Sequence, residues 1–474
     1  MRLRILGLLI GLLGFVSALS AQGNKLLVIL EEESEKAKYS QFWSDLQDRG
    51  FQITYRSPKD TGLSLFLHGV PAYSHLLILP PRSKGLGPQL TPNLLVDFVN
   101  QGSNILLALS SEHSVPSAIN SLLLELDINL SADRNSIVVD HFNYDTKSAD
   151  EKHDVLLLPS TKFSKAETKN LFSVDNLIAL PHAVGQVLGN ASPLLASVLN
   201  APSTAYTYNP KEEGEALEDV FATGSQISLV STFQARNSAR FTVLGSAEAM
   251  EDKWFDASVQ VPGANTKSEK TGNKDFISRL SAWTFKELGV LRVGEISHYL
   301  NEGEQKHAAN RTDVGHLDLN PSIYRFKNDV HYSIEVSEWS NNAWIPFTTP
   351  PGDDLQLEFS MLSPFHRLNL KPSSKNEAST TFTADFKLPD QHGIFNFFVE
   401  YRRPFYTNVE EKRTVTVRHF AHDEWPRSFV ISGAYPWISG IWVTVVGWLG
   451  FVALWLYSAP SQPKRDLKAG GGKR

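Results

Sequence analysis

Two histidines near the C-terminal end of the chain have a spacing that could hold a metal ion. His419 and His422 lie three residues apart and are followed by Asp423 and Glu424. On a helix this spacing would put two imidazoles on one face, where a third ligand could complete a zinc site. The histidines follow a predicted strand, however, and no motif supplies the third ligand. We therefore interpret them as surface residues and predict no metal site and no cofactor.

A second group of residues has the types that acid–base chemistry needs. Asp140 and His141 are adjacent, and Tyr144 follows three residues later. A carboxylate beside an imidazole can orient it as a general base, but the chain supplies no nucleophile for such a base. It contains no cysteine, and Gly245-Ser246 lacks the spacing and the second glycine of a nucleophile elbow. The sequence favours a structural hydrogen-bond cluster at this position.

Three consecutive carboxylates follow the first apolar run of the chain, where a phosphate-binding turn would lie in a nucleotide-binding domain. They are Glu31, Glu32 and Glu33. Such a turn needs glycines that bring backbone N–H groups close to the phosphate, and carboxylates would repel the phosphate. The sequence GxxxxGK[ST] is also absent. We therefore find no positive evidence that this chain is catalytic by itself and predict no catalytic residue.

The elements that would position these residues alternate between strand and helix in the first half of the chain. Short apolar runs predict strands, and apolar residues with a helical period predict helices. Ser34 and Asp275 are candidate N-caps, and Thr91 followed by Pro92 begins another helix. This alternation predicts an α/β domain with an open sheet over residues 21–294. The predicted strands are residues 25–30, 51–55, 75–79, 104–109 and 241–245, and the predicted helices are residues 34–48, 91–102 and 275–288.

From about residue 295 the pattern changes to short strands separated by turns. Several such strands in succession predict a β-sandwich, which we place at residues 295–434. The predicted strands are residues 331–336, 355–359, 381–386, 393–399 and 413–418.

The N-terminus has the features of a secretory signal peptide, predicted over residues 1–20. Two arginines precede an apolar run over residues 5–16, which is too short to span a bilayer comfortably. Ala18 and Ser20 fit the small-residue pattern before a cut, so we predict cleavage after Ser20. Cleavage after Ala21 is the alternative.

A second apolar run, residues 435–457, is long enough to cross a membrane as a helix. Aromatic residues flank it, and a basic tail over residues 458–474 follows, which the positive-inside rule places in the cytosol. The predicted topology is a single-pass type I membrane protein with most of the chain in the lumen. Gly440, Gly447 and Gly450 could let a partner helix approach closely, although membrane helices also simply tolerate glycine.

The composition excludes several classes of function. A formal net charge of −6 gives no electrostatic case for binding nucleic acid. The absence of cysteine removes disulfides, thiolate nucleophiles and zinc–thiolate sites together. Asn129, Asn190 and Asn310 each begin an Asn-X-Ser/Thr triplet and are possible N-glycosylation sites.

Seven segments, in order along the chain, resemble the family of the 48-kDa subunit of the eukaryotic oligosaccharyltransferase, whose fungal form is called a wheat-germ-agglutinin-binding protein. Each segment is weak alone, but together they are specific and cover nearly the whole chain. The segments are residues 48–52 (DRGFQ), 138–145 (VVDHFNYD), 234–240 (QARNSAR), 283–293 (WTFKELGVLRV), 354–359 (DLQLEF), 386–390 (FKLPD) and 393–395 (GIF).

The resemblance implies a function. Oligosaccharyltransferase transfers a preassembled glycan from dolichyl diphosphate to the asparagine of Asn-X-Ser/Thr in nascent chains, at the endoplasmic reticulum membrane. The family's chain is a non-catalytic subunit of this hetero-oligomer, and its partners are a catalytic multi-span subunit, ribophorin-like subunits and small membrane subunits. Its N-terminal domain is similar to glutamine amidotransferases, whose cysteine nucleophile this chain lacks. Some members end in a dilysine retrieval signal, but Gly471 and Gly472 occupy those positions here.

Two other functions stay open at this point. The chain could be a luminal glycan-binding receptor that stacks sugars on Trp339, Trp344 or Trp425, although sandwich core or subunit interface is the favoured interpretation of these side chains. It could also be a membrane-tethered hydrolase. The leading hypothesis remains a scaffolding subunit that positions partners or substrate.

Overall fold

The computed structural model describes residues 19–83, 85–113, 115–133, 135–159, 163, 171–210, 220–263, 269–303, 306, 318–340, 342–425 and 432–458. The chain forms two compact units, residues 1–418 and 419–474. The predicted signal peptide, apart from residues 19 and 20, and the predicted cytosolic tail, apart from residue 458, lie outside the described residues. The structure confirms the predicted fold class: an α/β domain, a β-sandwich and one long apolar helix.

A nine-stranded sheet forms the centre of the α/β domain. Its first strand is a continuous apolar run, and its side chains from Leu26 to Ile29 are all fully buried. Leu26 and Val28 pack into one hydrophobic cluster, and Leu27 and Ile29 into another on the opposite face. A strand covered on both faces is expected to be apolar throughout. In chain order the strands are β1 (Lys25–Ile29), β2 (Gln52–Arg56), β3 (His75–Ile78), β4 (Asn104–Ala108), β5 (Ile128–Leu130), β6 (Gln186–Leu188), β7 (Leu195–Asn200), β8 (Ile227–Gln234) and β9 (Arg240–Leu244).

The strand order is β2-β1-β3-β4-β9-β8-β6-β5, and β7 pairs with β8. The first five strands in this order are parallel, and β8 turns the sheet antiparallel. The carboxyl ends of the parallel strands therefore meet at one edge. Smaller two-stranded pairs surround the sheet: Phe66–Leu67 with Val70–Pro71, Ile137–Val139 with Tyr206–Tyr208, Val155–Leu158 with Ile178–Pro181, and Ser258–Val259 with Glu269–Lys270.

Five α-helices and three short 3₁₀ segments are described in this domain. The predicted cap of the second helix is confirmed, because the Thr91 hydroxyl accepts a hydrogen bond from the Leu94 N–H group at 3.4 Å. The helices are α1 (Ser40–Asp48), α2 (Pro92–Asn100), α3 (Ser117–Glu125), α4 (Asp252–Phe255) and α5 (Asn273–Thr284), and the 3₁₀ segments are Glu33–Tyr39, Gly224–Gln226 and Glu248–Met250.

Two predicted helix starts were wrong. Ser34 bonds only to Glu32, and its segment is a 3₁₀ helix that precedes α1. The N–H groups of Ser40 and Gln41 instead donate to the carboxylate of Asp252, at 3.0 and 2.9 Å. This cap comes from another element, so the local sequence could not reveal it. The closing helix α5 begins at Asn273, with Asp275 in its first turn, and ends at Thr284.

The β-sandwich consists of two five-stranded sheets. One has the order β10-β12-β17-β16 with β13 beside β12, and the other has the order β11-β19-β18-β14-β15. The strands are β10 (Val290–Leu300), β11 (Ile323–Arg325), β12 (Asp329–Ser340), β13 (Ala343–Pro346), β14 (Gln356–Ser360), β15 (Pro364–Asn369), β16 (Lys371–Lys375), β17 (Thr380–Lys387), β18 (Gly393–Tyr401) and β19 (Val409–Arg418).

Aromatic side chains from the two sheets fill the space between them. In β18 the fully buried Phe395 and Phe397 alternate with outward residues, the period expected of a half-buried strand. Phe397 stacks on Tyr332 of the facing sheet, with ring centroids 5.4 Å apart. The predicted boundary between residues 294 and 295 falls inside β10, where the pairing shifts register between Val293 and Ile296.

The second unit contains helix α6 (Tyr435–Tyr457), which has 23 residues and is therefore about 35 Å long. Its mean hydropathy is 1.8, and it is long and apolar enough to cross a membrane. It is the one such helix in the described part of the chain.

Candidate functional site

The first place to look for a site is the edge where the parallel strands end, because open α/β sheets bind their ligands there. We call this the carboxyl edge and define it as residues 30–35, 79–82, 109–113 and 245–251, which follow β1, β3, β4 and β9. The acidic run that the sequence placed after β1 lies here.

Ion pairs and backbone hydrogen bonds hold the acidic run in place. Glu31 accepts a hydrogen bond from the Ser83 N–H group at 2.9 Å and pairs with Lys59 at 3.2 Å. Arg82 contacts Glu32 and Glu35, each at 2.9 Å. Burial by itself would raise the pKa of Glu31, but the hydrogen bonds from Ser83 and Lys59 outweigh it and lower that pKa. These carboxylates are thus occupied with internal partners.

The cavity left at the carboxyl edge is small. Its volume is about 30 Å³, and Tyr39, Ser110 and Glu248 are among the residues that line it. A volume of this size holds about one or two water molecules. This cavity is therefore too small for a sugar or a nucleotide.

His182 lies between two carboxylates beside this edge. Its Nδ1 is 2.8 Å from the Glu248 carboxylate, and its Nε2 is 3.3 Å from that of Asp154. Hydrogen bonds to Asp154 and Glu248 raise the pKa of His182 to about 10. The imidazole is therefore protonated at neutral pH and cannot accept a proton as a general base. We call these three residues the histidine clamp.

Ser246 was considered above as a possible nucleophile, but its side chain has a structural role. It is 1% exposed, and its hydroxyl donates to the Pro181 carbonyl at 2.5 Å. A buried hydroxyl that already donates to the backbone cannot transfer its proton to a base.

The predicted group around His141 is a structural cluster. Asp140 is fully buried and accepts hydrogen bonds from the Phe142 N–H group at 2.8 Å and from the Thr204 hydroxyl at 2.8 Å. Both ring nitrogens of His141 have other partners: Nδ1 lies 2.5 Å from Nδ1 of His153, and Nε2 lies 3.0 Å from the Tyr206 hydroxyl. His153 is 12 residues from His141 in sequence, and Thr204 is 64 residues from Asp140. The local sequence pattern therefore could not predict these contacts.

His419 and His422, which the sequence analysis interpreted as surface residues, are exposed. No group of three or more His, Asp or Glu side chains that could hold a metal exists among the described residues. Trp344 packs edge-on against Trp339 at 4.9 Å, and the Arg292 guanidinium lies 4.1 Å from the centre of its ring. Trp425 is 56% exposed and contacts Phe420.

A second region lies where the α/β domain meets the sandwich. The sequence analysis named no candidate site residue in it. We call it the seam and define it as residues 234–240, 283–291 and 402–408. Two of the seven segments that carried the family resemblance, residues 234–240 and 283–293, meet here.

Arg240 is the centre of the seam. It is fully buried, and its guanidinium donates to the carbonyls of Trp283 at 2.5 Å, Leu288 at 2.7 Å and Gly289 at 2.7 Å. The same group lies 4.5 Å from the centre of the Trp283 ring. Burial lowers the pKa of Arg240 to about 9, so the side chain remains charged at neutral pH.

The sandwich contributes the third side of the seam. Phe405, with a φ of 71°, accepts a hydrogen bond from the Trp283 indole N–H group at 2.7 Å. The Gln234 amide donates to the Tyr406 carbonyl at 2.5 Å, and the Asn408 amide donates to the Arg236 carbonyl at 3.0 Å. These bonds join the two domains through backbone groups.

Among the described residues there are also two larger cavities, one of which reaches Ser110 of the carboxyl edge. One of about 450 Å³ beside the seam is lined by Arg402 and Arg403, which pair with Glu410 and Asp353. The other, about 600 Å³, lies against α3. Its lining among the described residues includes serine hydroxyls and one carboxylate but no histidine: Ser110, Val115, Ser117, Asn120, Leu124, Leu130, Ser131, Ala132, Asp133, Ser136 and Val184.

The predicted modification and packing residues are spread over the molecule. Asn129 is half-buried in β5, with its amide nitrogen 3.5 Å from the Val187 carbonyl, whereas Asn190 is exposed after β6. Asn310 lies outside the described residues. Gly440, Gly447 and Gly450 lie on α6 with open space around each Cα.

Comparison with known proteins gives consistent matches along the chain. A family model described as OST48, N-terminal domain, matches residues 17–287, and one described as OST48 middle domain matches residues 304–459. The chain is 31% identical over 433 residues to the protein from Arabidopsis thaliana named dolichyl-diphosphooligosaccharide–protein glycosyltransferase 48 kDa subunit, covering 91% of this chain and 92% of that one. The protein of the same name from Danio rerio is 32% identical over 441 residues and is covered to 91% on both sides.

Solved structures are more distant. The IFT52 N-terminal domain has a TM-score of 0.38 at 16% identity, covering 55% of this chain and 97% of that one. A glutamine amidotransferase from Thermotoga maritima has a TM-score of 0.25 at 12% identity, covering 47% of this chain and 74% of that one. These structural scores carry no argument about function. The family models and the relatives agree over nine-tenths of the chain, and this chain therefore belongs to the OST48 family.

Proposed function

We propose that this chain is a non-catalytic subunit of an oligosaccharyltransferase in the endoplasmic reticulum membrane, with its large body in the lumen. The complex would transfer a preassembled glycan from dolichyl diphosphate to asparagine in Asn-X-Ser/Thr. The names of the relatives support the complex, and α6 supports a single membrane span.

The state of the carboxyl edge is the observation that supports a non-catalytic role. The cavity between Tyr39 and Glu248 holds about one or two waters, the imidazole of His182 is protonated, and the hydroxyl of Ser246 is committed to the backbone. The imidazole of His182 and the hydroxyl of Ser246 are thus used for folding.

The proposed role is assembly. The body would hold ribophorin-like subunits and the catalytic multi-span subunit in position, and α6 would pack against partner helices in the membrane. Gly440 and Gly447 are seven residues apart and so lie within about 20° of each other around the helix. One face of α6 therefore has no side chain at these two positions. Close backbone approach of this kind stabilises helix pairs in membranes.

The glycan-receptor alternative has less support. Arg292 covers one face of Trp344, and the Trp339 indole N–H group is already bonded to the Leu19 carbonyl at 2.5 Å. A stacking platform needs a free ring face.

The test is replacement of Gly447 by Leu in a tagged full chain, followed by purification from membranes. We expect recovery of the catalytic and ribophorin-like subunits to fall about fivefold, the equivalent of about 1 kcal/mol of helix packing. Val445→Leu is the matched control, since Val445 lies about 160° around α6 from Gly447 and should leave recovery unchanged.

The same preparation tests the non-catalytic role. A complex that carries Ser246→Ala together with His182→Gln should retain the glycan-transfer rate per assembled complex. A loss of more than about tenfold, with all subunits present, would show that this chain takes part in the chemistry.

A further inference from the structure

Residues 19–22 precede β1 and lie across both domains of the first unit. The Leu19 N–H group donates to the Arg49 carbonyl at 3.1 Å, and the Leu19 carbonyl accepts from the Trp339 indole at 2.5 Å. The Ala21 N–H group donates to the Lys286 carbonyl at 3.0 Å. One short segment therefore contacts α1's end, the residues after α5 and the sandwich strand β12.

The side chains of this segment are also built into the α/β domain. Ser20 is only 8% exposed, and its hydroxyl lies 3.1 Å from His75 Nε2. Gln22 donates to the Gly102 carbonyl at 2.5 Å and accepts from the Asn104 amide at 3.0 Å. Four consecutive residues thus make directed contacts with buried or half-buried groups.

The tautomer of His75 shows which way the hydrogen bond to Ser20 runs. The Asn104 amide oxygen accepts from the Arg240 N–H group, so its NH₂ group donates to His75 Nδ1 at 3.1 Å. Nε2 therefore carries the proton and donates to Ser20 Oγ and to the Gly23 carbonyl. Ser20 completes a buried network that extends to the centre of the seam.

We propose that the signal peptide is removed after Ala18, two residues earlier than the spacing of small residues alone suggested, and that the mature chain begins with residues 19–22 as an interdomain strap. Val16 and Ala18 then occupy the positions three residues and one residue before the cut, which accept compact uncharged side chains. A cut after Ser20 would remove Leu19 and Ser20, and with them the acceptor of the Trp339 N–H group. The cut after Ala18 retains every contact of the strap.

N-terminal sequencing of the chain, purified within its complex from membranes, tests the cleavage site directly. The expected first residue is Leu19. A first residue of Ala21, Gln22 or Met1 would overturn the assignment.

A pair of variants within the signal peptide tests the strap. Val16→Phe puts a bulky ring three residues before the proposed cut and redirects cleavage to the position after Ser20. The mature chain then starts at Ala21 and is otherwise identical to the natural one. We expect its apparent Tm to fall by about 3–6 °C, since several hydrogen bonds are lost. Val16→Ala is the matched control and should give the natural N-terminus and Tm; an unchanged Tm in a chain that starts at Ala21 would refute the strap.

Hydrogen exchange on the natural protein provides a measurement that does not depend on redirected cleavage. The Ala21 amide should exchange slowly because it donates to the Lys286 carbonyl. Trp339→Phe keeps an aromatic ring but removes the donor to Leu19, so it should speed exchange in the N-terminal peptide. Rapid exchange of this peptide in the natural protein would contradict the strap.

Discussion

The carboxyl edge and the seam both neutralise charged side chains, but they do so in different ways. At the carboxyl edge, ionisable groups face opposite charges, as His182 does between Asp154 and Glu248. At the seam, Arg240 is surrounded by backbone carbonyls and the face of Trp283. In the first arrangement both partners can titrate, whereas in the second the acceptors are backbone carbonyls, which cannot.

This difference affects how each region responds to pH. Carbonyl dipoles do not titrate, so the contacts of Arg240 do not depend on the charge of their acceptors. Lys286 and Glu287 of the same seam do titrate, because burial lowers the pKa of Lys286 to about 7 and raises that of Glu287 to about 7. The ion pairs of the carboxyl edge lose their attraction when either partner changes charge.

Replacing Arg240 by Met should have the largest effect. The change removes the donors to the carbonyls of Trp283, Leu288 and Gly289 and leaves these acceptors buried without partners. We expect a loss of about 3–5 kcal/mol in the free energy of unfolding, measured by thermal unfolding of the purified complex. Limited proteolysis should show earlier cleavage between the domains.

Arg236→Met is the matched control for this prediction. Arg236 belongs to the same segment but is exposed, so its replacement should change the unfolding free energy by less than about 0.5 kcal/mol. Equal effects of the two substitutions would mean that the hydrogen bonds from Arg240 to the carbonyls of Trp283, Leu288 and Gly289 do not contribute to the free energy of unfolding.

The histidine clamp should have a smaller effect that depends on pH. The pKa of His182 is raised from its ordinary value of about 6.5 to about 10 in the folded protein. Its contribution to stability is therefore complete below pH 6.5 and is lost as the pH rises towards 10. The pKa values of Asp154 and Glu248 are lowered, because their hydrogen bonds to His182 outweigh the effect of burial, so their contribution is lost only in acid.

Thermal unfolding of the natural protein and of His182→Gln between about pH 6 and pH 9.5 checks this. The difference in Tm should be largest at pH 6 and should shrink steadily towards pH 9.5. Asp256→Asn, which removes an exposed ion pair with Lys270, should show no such trend. A pH-independent difference for His182→Gln would refute the clamp.

The smallest expected effect is at the acidic run. Glu32 and Arg82 are each nearly half exposed, so Glu32→Gln should cost about 0.5 kcal/mol or less, and the cost should vanish in about 1 M salt. Glu35, which pairs with the same arginine, is only 13% exposed. Glu35→Gln should therefore lower the free energy of unfolding more than Glu32→Gln does, and part of its effect should remain in about 1 M salt. A larger loss for Glu32→Gln would contradict the expectation that the more buried ion pair contributes more.

Local pattern was enough to predict several elements. The apolar run of β1, the alternation of β18 and the Thr91 cap with Pro92 each follow from interactions within a few residues. The start of α1 could not be predicted in this way, because its cap, Asp252, is 212 residues away in sequence. The histidine clamp was missed for the same reason: its members come from three separate segments.

The sequence by itself determined the fold class, the family, the long apolar helix and the absence of thiol chemistry. Periodicity, composition and the order of the family segments are properties of the linear sequence, so they can be recognised without knowing which residues contact each other in the fold. Only the tertiary structure decided that Ser246 and His182 are committed to the fold, that Arg240 meets the carbonyls after α5, and that residues 19–22 cross between domains. A hydrogen bond or a buried charge depends on distances of about 3 Å between groups, and folding brings together groups that can be hundreds of residues apart in the chain.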